Sequence, residues 1–403
     1  MTERLYEDNS YEVAFSSEVT AVKPVKGGAE VVLTKTYFFP AEGGQSPDRG
    51  TLNGFPVIDV QIRDGEIFHT VGAKDGDEAS VLAAFRVGQT ATGQVDWEFR
   101  FRNMQMHSAE HIFSGLVHTH FGYANVGFHL SENSATMDYS GELTKEQIEA
   151  LETETNRIIV EGHRITARYP SAEELKTLPY RSKKELTGPV RLVEIEGVDL
   201  CACCVPHVKT TSEIGLFKVI SFERYKGGMR LHYLAGFRAL SHFRECLASL
   251  GEAGQILSAK QADIVPALRN LAAEARELRF RLTSAERELA EAAIAQYHAK
   301  RGGVAGEKLS GDALMFLSGD ASVARHALDV MEELFDGTCA LFIGQDSTYR
   351  YFLEHQGGTV TEIGNALKEQ LSARGGGKPF SVSGSVQATE EDIRRVLSGF
   401  GLH

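Results

Sequence analysis

The sequence predicts an α+β protein of several segments, and three observations carry that expectation. Residues 1–95 are rich in β-branched runs separated by glycine turns. Residues 96–240 alternate capped helical stretches with strand-like runs. Residues 241–302 carry a sustained heptad stripe before a last α/β segment. The expected layout is a β-barrel-like domain over 1–95, an α+β domain over 96–240, a helical spacer over 241–302 and a small α/β domain over 303–403.

In the first segment AEVVLTKT and FPVIDVQIRDGEIFHTV read as strands, with Asp64-Gly65 as a hairpin turn. Between them YFFPAEGGQSPDRG is a turn-rich loop holding Gly43, Gly44, Pro47 and Gly50. In the second, Met104 to His120 has helical character. Thr144-Lys145-Glu146-Gln147 is a capping box opening a helix that runs to about Glu161, and Ser171-Ala172-Glu173-Glu174 opens a shorter one. VRLVEIEG, IGLFKVISFE and MRLHYLAGF read as strands.

In the third, Ile264, Leu268, Leu271, Ala275, Leu278, Leu282, Ala285, Leu289 and Ala292 alternate spacings of four and three. Asp263 is the expected N-cap, which leaves Pro266 in the first turn, where a proline is tolerated. The seam leaves open pairing within one chain or between two copies in a homodimer. RGGVAGEK reads as a linker. Beyond it LMFLSG, CALFIGQ and YRYFLEHQ read as strands, with helices expected over 321–335, 361–373 and 390–397. A glycine run, RGGGKPF, lies between the last two.

Composition narrows the function. A chain of 403 residues is long enough for two or three cores, and 42% apolar with 24% charged residues is ordinary for a globular protein. A net charge of −13 argues against non-specific coating of nucleic acid. The balance reverses locally: from Lys218 to Arg244 six Lys/Arg face one acid, Glu223. There is no 18-residue apolar run and no export-signal pattern at the start, so no membrane partner is expected. Five cysteines are too few for a disulfide framework. They fit a reducing cytoplasm, where a tight Cys/His cluster points to metal or catalysis.

That cluster is CACCVPHV, residues 201–208. About a hundred residues upstream stands MHSAEHIF. His107 and His111 are at i and i+4 and share a helix face. Cys203 and His207 repeat the spacing. Three imidazoles and one thiolate make a borderline-soft set suited to Zn²⁺. Cys201 and Cys204 form a CxxC that is a rival ligand pair. Cys203 is preferred because its spacing to His207 mirrors the upstream pair. Four protein ligands close a tetrahedral site, the pattern of structural zinc; catalysis then needs a fifth position or one lengthened bond.

RNMQMHSAEHIFSGL followed by CCVPHVKTTSEIGLFKVIS resembles the editing domain of alanyl-tRNA synthetases and of the free-standing alanyl-tRNA editing proteins. That family pairs an HxxxH with a later CxxxH. FFPAEGGQSPDRG is similar to its glycine-rich loop, KGGMRLHYLAGFRAL to the strand that closes the domain, and residues 301–403 to the C-terminal domain of its longer members. One departure stands out: the family has Gly-Gly-Thr or a similar triplet between its Cys and His, where this chain has Cys204-Val205-Pro206.

The resemblance implies hydrolysis of the ester joining serine, or secondarily glycine, to tRNA for alanine, with zinc as cofactor and His107, His111, Cys203 and His207 as ligands. A site that hydrogen-bonds the seryl hydroxyl can reject alanine strongly. Gln45 and Ser108 are the candidates for that contact, and Glu110 for a general base. Gly43 and Gly44 let backbone approach a ligand. Arg224, Lys226, Arg230, Lys378 and the run Arg181-Ser182-Lys183-Lys184 are the candidate tRNA contacts. GGGK lacks the complete nucleotide-binding loop, so no nucleotide cofactor is expected. Two rivals remain: a metallopeptidase using HSAEH as an H-x-x-E-H motif, and a non-catalytic zinc-containing RNA-binding protein.

Overall fold

The computed structural model describes residues 1–73, 76–132, 135–182 and 188–403. They form a mixed α+β architecture in two compact units, Met1–Leu250 and Gly251–His403. The barrel-like segment and the segment after it lie together in the first unit.

In that unit six strands close into a barrel, in the order Ala14–Val25, Gly28–Leu33, Glu66–Gly72, Phe55–Arg63, Gly50–Leu52 and Thr90–Val95. Burial alternates along Thr90–Val95, as a strand with one face in a core requires. Asp64 and Gly65 take positive φ values of 49° and 79° between the paired Arg63 and Glu66, the geometry of a two-residue hairpin turn. Phe38 and Phe39, in the loop that carries Gly43 and Gly44, are fully buried in the barrel core with Val31, Leu52 and Val60.

The rest of the first unit is built around the Trp97–Phe121 helix. Asp96 starts it by accepting the Phe99 N–H at 3.1 Å, and left-handed Gly122 ends it by donating to the His118 carbonyl at 2.8 Å. Residues 103–117 of this helix are all buried, polar ones included. A four-stranded antiparallel sheet runs Phe217–Tyr225, Gly228–Ala235, Ala135–Tyr139 and Asn125–Leu130. A three-stranded one runs Ile165–Arg168, Leu192–Ile195 and Asp199–Ala202. Met104, Ile112, Phe113, Leu130, Met137, Val193 and Phe217 belong to one core. Both expected capping boxes form, at Thr144 and Ser171.

In the second unit the Ile264–Lys300 helix presents Ala290, Ile294 and His298 to a core with Met315, Leu328 and Phe335. Its heptad positions Leu268, Leu271, Leu278, Leu282 and Leu289 are exposed instead. Asp263 precedes the helix but its side chain makes no capping bond. The sheet of this unit is ordered Ala313–Leu317, Thr338–Gln345, Thr348–His355, Ser381–Gln387 and Arg374–Lys378. The glycine run, read from its spacing as a tight turn, is a strand instead. Gly375, Gly376 and Gly377 sit in the edge strand, paired in register with Gly384, Ser383 and Val382 respectively. Lys378 is the strand's exposed last residue, its ammonium 5.8 Å from the Phe380 ring.

Candidate metal centre

The site joins one turn of a buried helix to a loop that follows a strand. His107 and His111 project from the Trp97–Phe121 helix, and Cys203 and His207 from the segment after Asp199–Ala202. One donor atom from each of the four lies within 4.8 Å of the others. Cys203 Sγ is 3.4 Å from His107 Nε2 and 3.5 Å from His207 Nε2. These residues could hold a metal ion.

The surroundings prepare the donors. Burial opposes a thiolate at Cys203, but His107, His111 and His207 outweigh it and hold the thiol well below its ordinary range. Burial, then the adjacent His111, pushes His207 down to about 3, so it is a neutral ring able to donate a lone pair. Burial also opposes charge on His111, yet Cys201, Asp199 and Cys203 raise its proton affinity well above the ordinary value. A field that attracts a proton there attracts any cation. Burial pushes the Cys204 thiol up, with the Cys203 thiolate beside it, so Cys204 is the poorer donor of the adjacent pair.

A second layer orients the rings. His111 Nδ1 lies 3.4 Å from Asp199 Oδ2, and Arg181 grips Asp199 through two contacts of 2.7 Å. The Ser108 hydroxyl is 2.9 Å from His207 Nδ1 and accepts the Val208 N–H at 3.2 Å. His107 packs edge-on against Phe128, with centroids 4.6 Å apart. Cys201 is buried on the strand, where it forms a second close group with His111 and Asp199.

A cavity of about 550 Å³ opens beside the donors. His107, His111, Cys203, Cys204, Gly43, Gly44, Glu42, Phe128, Arg191 and Arg4 are among its lining residues. The glycines are required where they stand. A Cβ on Gly43 would meet Val205 at 2.9 Å, and one on Gly44 the Phe128 carbonyl at 2.3 Å; both φ values are positive. The loop can therefore lie against Cys204-Val205 and against the Asn125–Leu130 strand. Val205, in the triplet that departs from the family pattern, is fully buried in the barrel core. Arg191 ties this turn down by donating to the Cys203 and Val205 carbonyls, both at 3.1 Å.

The other expected residues fall in mixed places. Gln45, next to the wall residues Gly43 and Gly44 but not itself on the cavity wall, is 3% exposed, and neither atom of its amide is hydrogen-bonded. Ser108 stands behind His207, fully buried, and is not on the cavity wall. Glu110 is buried and accepts from Ser114 Oγ at 2.6 Å and from Asn125 Nδ2, while its Oε2 lies 3.9 Å from His111 Nε2. The cations are largely engaged. Arg230 forks onto Asp138 at 2.7 Å, Arg224 pairs with Glu142 at 3.0 Å, and Lys226 lies 5.0 Å from the Tyr225 ring. Arg181, expected at an RNA surface, serves Asp199 instead. Lys183 and Lys184 lie outside the described residues. Asp199, Glu42 and Arg191 were missed by sequence reasoning, because each is defined by what it meets across the fold. Only the nearness of Asp199 to the Cys/His cluster gave a signal.

The family described as threonyl and alanyl tRNA synthetase second additional domain matches residues 190–231, the stretch containing Arg191, Asp199, Cys203 and His207. Alanyl-tRNA editing protein AlaX-L of Pyrococcus horikoshii is 26% identical over 402 residues, 98% of this chain and 96% of that protein. The alanine–tRNA ligase of Methanopyrus kandleri is 30% identical over 306 residues, 73% of this chain but 32% of the ligase. Alanyl-tRNA editing protein AlaX-M of Saccharolobus solfataricus is 31% identical over 245 residues, which cover 98% of its length. With a shorter relative matched end to end and a longer one matched along nearly its whole length, the chain belongs to the alanyl-tRNA editing proteins.

Proposed function

We propose that this chain is a trans-editing deacylase that hydrolyses the ester of mischarged tRNA for alanine, chiefly seryl-tRNA and secondarily glycyl-tRNA. The observation that carries the reading is the convergence of His107, His111, Cys203 and His207 at one end of a cavity bounded by the glycine loop. The reading takes zinc as the ion. Bond lengths of about 2.0–2.1 Å to nitrogen and about 2.3 Å to sulfur give a tetrahedron whose N···S edges are about 3.6 Å. The N···S separations of 3.4 and 3.5 Å are close to those edges.

When bound, zinc supplies Lewis acidity toward an ester carbonyl and acidifies water. The chain's own residues hold the ester in place. Gly43 and Gly44 bring backbone to the cavity wall, and the Gln45 amide is the candidate partner for a seryl hydroxyl, since it offers both donor and acceptor. Ser108, Asp199 and Arg181 keep the ligand rings in position. Residues 303–403 serve tRNA capture in this reading, with Lys378 there, and Arg224, Lys226 and Arg230 in the first unit, as phosphate contacts. Loosening the acid partners of Arg224 and Arg230 would be part of RNA binding. The metallopeptidase alternative is disfavoured by the donor set, in which Cys203 and His207 join the two histidines, and by Glu110, whose Oε1 is held by Ser114 and Asn125.

The test is deacylation of seryl-, glycyl- and alanyl-tRNA by the purified full chain, with and without chelator. Seryl-tRNA should be hydrolysed fastest, alanyl-tRNA spared, and activity lost with the metal. Hydrolysis indifferent to chelator would refute the zinc role; hydrolysis of none of the three would refute the deacylase.

A further inference from the structure

Glu42 is an acidic side chain on the cavity wall for which the metal centre has no use. It opens the glycine loop, and its carbonyl accepts the Gln45 N–H at 3.1 Å. Its side chain shares the wall with His107, His111, Cys203, Gly43 and Gly44. Oε2 is shut off from solvent and has no hydrogen-bond partner. A carboxylate oxygen in that position is destabilising until a donor meets it, and a cationic donor satisfies it best. The neighbouring Arg4 lines the same cavity and attracts Glu42 by its charge, but its Nη1 bonds Glu7 Oε1 at 3.2 Å and no hydrogen bond joins it to Glu42 Oε2.

We propose that Glu42 receives the α-ammonium group of the aminoacyl ester and so fixes the ester beside the metal centre. This rests on the deacylase reading above. The chemistry of the substrate supports it. Every aminoacyl ester, whatever its side chain, carries a cation one carbon from the scissile carbonyl. A carboxylate that lines the same cavity as the ligand set suits that arrangement. The contact defines the substrate class as esters with a free α-amine. Peptidyl and other N-acylated esters lack the cation, as do α-hydroxy esters, and they leave Oε2 unpaired.

The experiment compares seryl-tRNA with its nitrous-acid product, in which an α-hydroxyl replaces the amine with little change in size. At pH 6.5 the amine, with an ordinary pKa of about 7.7–8.0, is protonated. The wild type should favour the amino ester by about tenfold or more in kcat/KM. Glu42→Gln, which keeps shape and removes charge, should lose that preference, leaving the hydroxy ester within about twofold of wild type. Calorimetry gives a readout free of turnover, with the two non-hydrolysable amides 3′-seryl- and 3′-glyceryl-amido-3′-deoxyadenosine. Zinc-loaded wild type should prefer the amino compound and Glu42→Gln should not, with unchanged zinc content. Equal binding of the two by wild type, binding of neither, or equal weakening of both by Glu42→Gln overturns the proposal. Preference for the amino amide without hydrolysis of any aminoacyl-tRNA supports it and defeats the deacylase reading instead.

Discussion

Ser108 supports His207 from behind: its hydroxyl lies 2.9 Å from Nδ1 while Nε2 faces the Cys203 sulfur. A neutral ring that donates Nε2 to a metal must carry its proton on Nδ1, so Nδ1–H donates to Ser108. Ser108→Ala should therefore weaken metal affinity by about 10–100-fold, the usual effect of removing such a partner. Competition with a chromogenic chelator measures it. Unchanged affinity with slowed seryl-tRNA hydrolysis would return Ser108 to the substrate.

The four-donor set makes a sharper claim about the cysteines. Cys203→Ala or His107→Ala should abolish stoichiometric zinc in the purified protein, whereas Cys201→Ala should keep it. Metal analysis after dialysis decides. Retention by Cys203→Ala together with loss in Cys201→Ala would move the site onto the group of His111, Asp199 and Cys201.

Much of this site was legible because helical geometry acts on sequence spacing. His107 and His111 are separated by one turn, and the capped helix keeps them together. The same geometry turns Ser108 about 100° away from His107, and it stands off the cavity wall. The supporting shell was hidden. Arg181 reads as part of a basic run until its partner Asp199 is seen across the fold, 18 residues on. The run Arg374-Gly-Gly-Gly-Lys378 reads as a turn because glycine carries no side-chain periodicity. It is a strand because Ser381–Gln387 offers a ladder to pair with.

In the proposed reading, discrimination between serine and alanine rests on one oxygen. A hydrophobic pocket yields only about 1–3 kcal/mol for such a difference, and an unpaired buried polar group adds about 1–3 kcal/mol more. The Gln45 amide, buried and unpartnered, is the group to alter. Gln45→Ala should slow seryl-tRNA hydrolysis more than glycyl-tRNA hydrolysis, since glycine has no hydroxyl to lose. Equal slowing in single-turnover assays would assign Gln45 to the shared ester or amine.

The glycine loop is pinned by a buried ion pair. Asp48 accepts from Arg100 Nε at 2.9 and 3.0 Å and from the Phe39 N–H at 2.6 Å, and Arg100 also holds the Tyr37 carbonyl. Both side chains are essentially inaccessible. Asp48→Asn leaves a buried guanidinium uncompensated and should cost roughly 3–5 kcal/mol in urea unfolding. The double variant Arg100→Met/Asp48→Leu should recover part of that loss. A loss under 1 kcal/mol for Asp48→Asn alone would show that the pair contributes little.

Acid sensitivity should have a source away from the metal. His69 is fully buried, bonded to Thr36 Oγ1 at 2.9 Å and the Val31 carbonyl at 3.0 Å, and burial lowers it to about 4. An unfolded chain binds this proton near 6.5, so the unfolded state gains protons first as pH falls. Stability is intact above about pH 6.5 and falls progressively toward pH 4, by roughly 3 kcal/mol from this group alone. His69→Gln should flatten that limb of the Tm–pH curve. A limb of undiminished steepness would place the acid lability elsewhere.

The two halves of the ligand set are far apart in the chain: His107 and Cys203 are separated by 96 residues. A ribosome adding roughly 5–20 residues per second spends about 5–20 s between them. Throughout that interval a nascent chain offers only His107 and His111 of the four donors. A metal held by all four donors is thus acquired only after the second pair has been made.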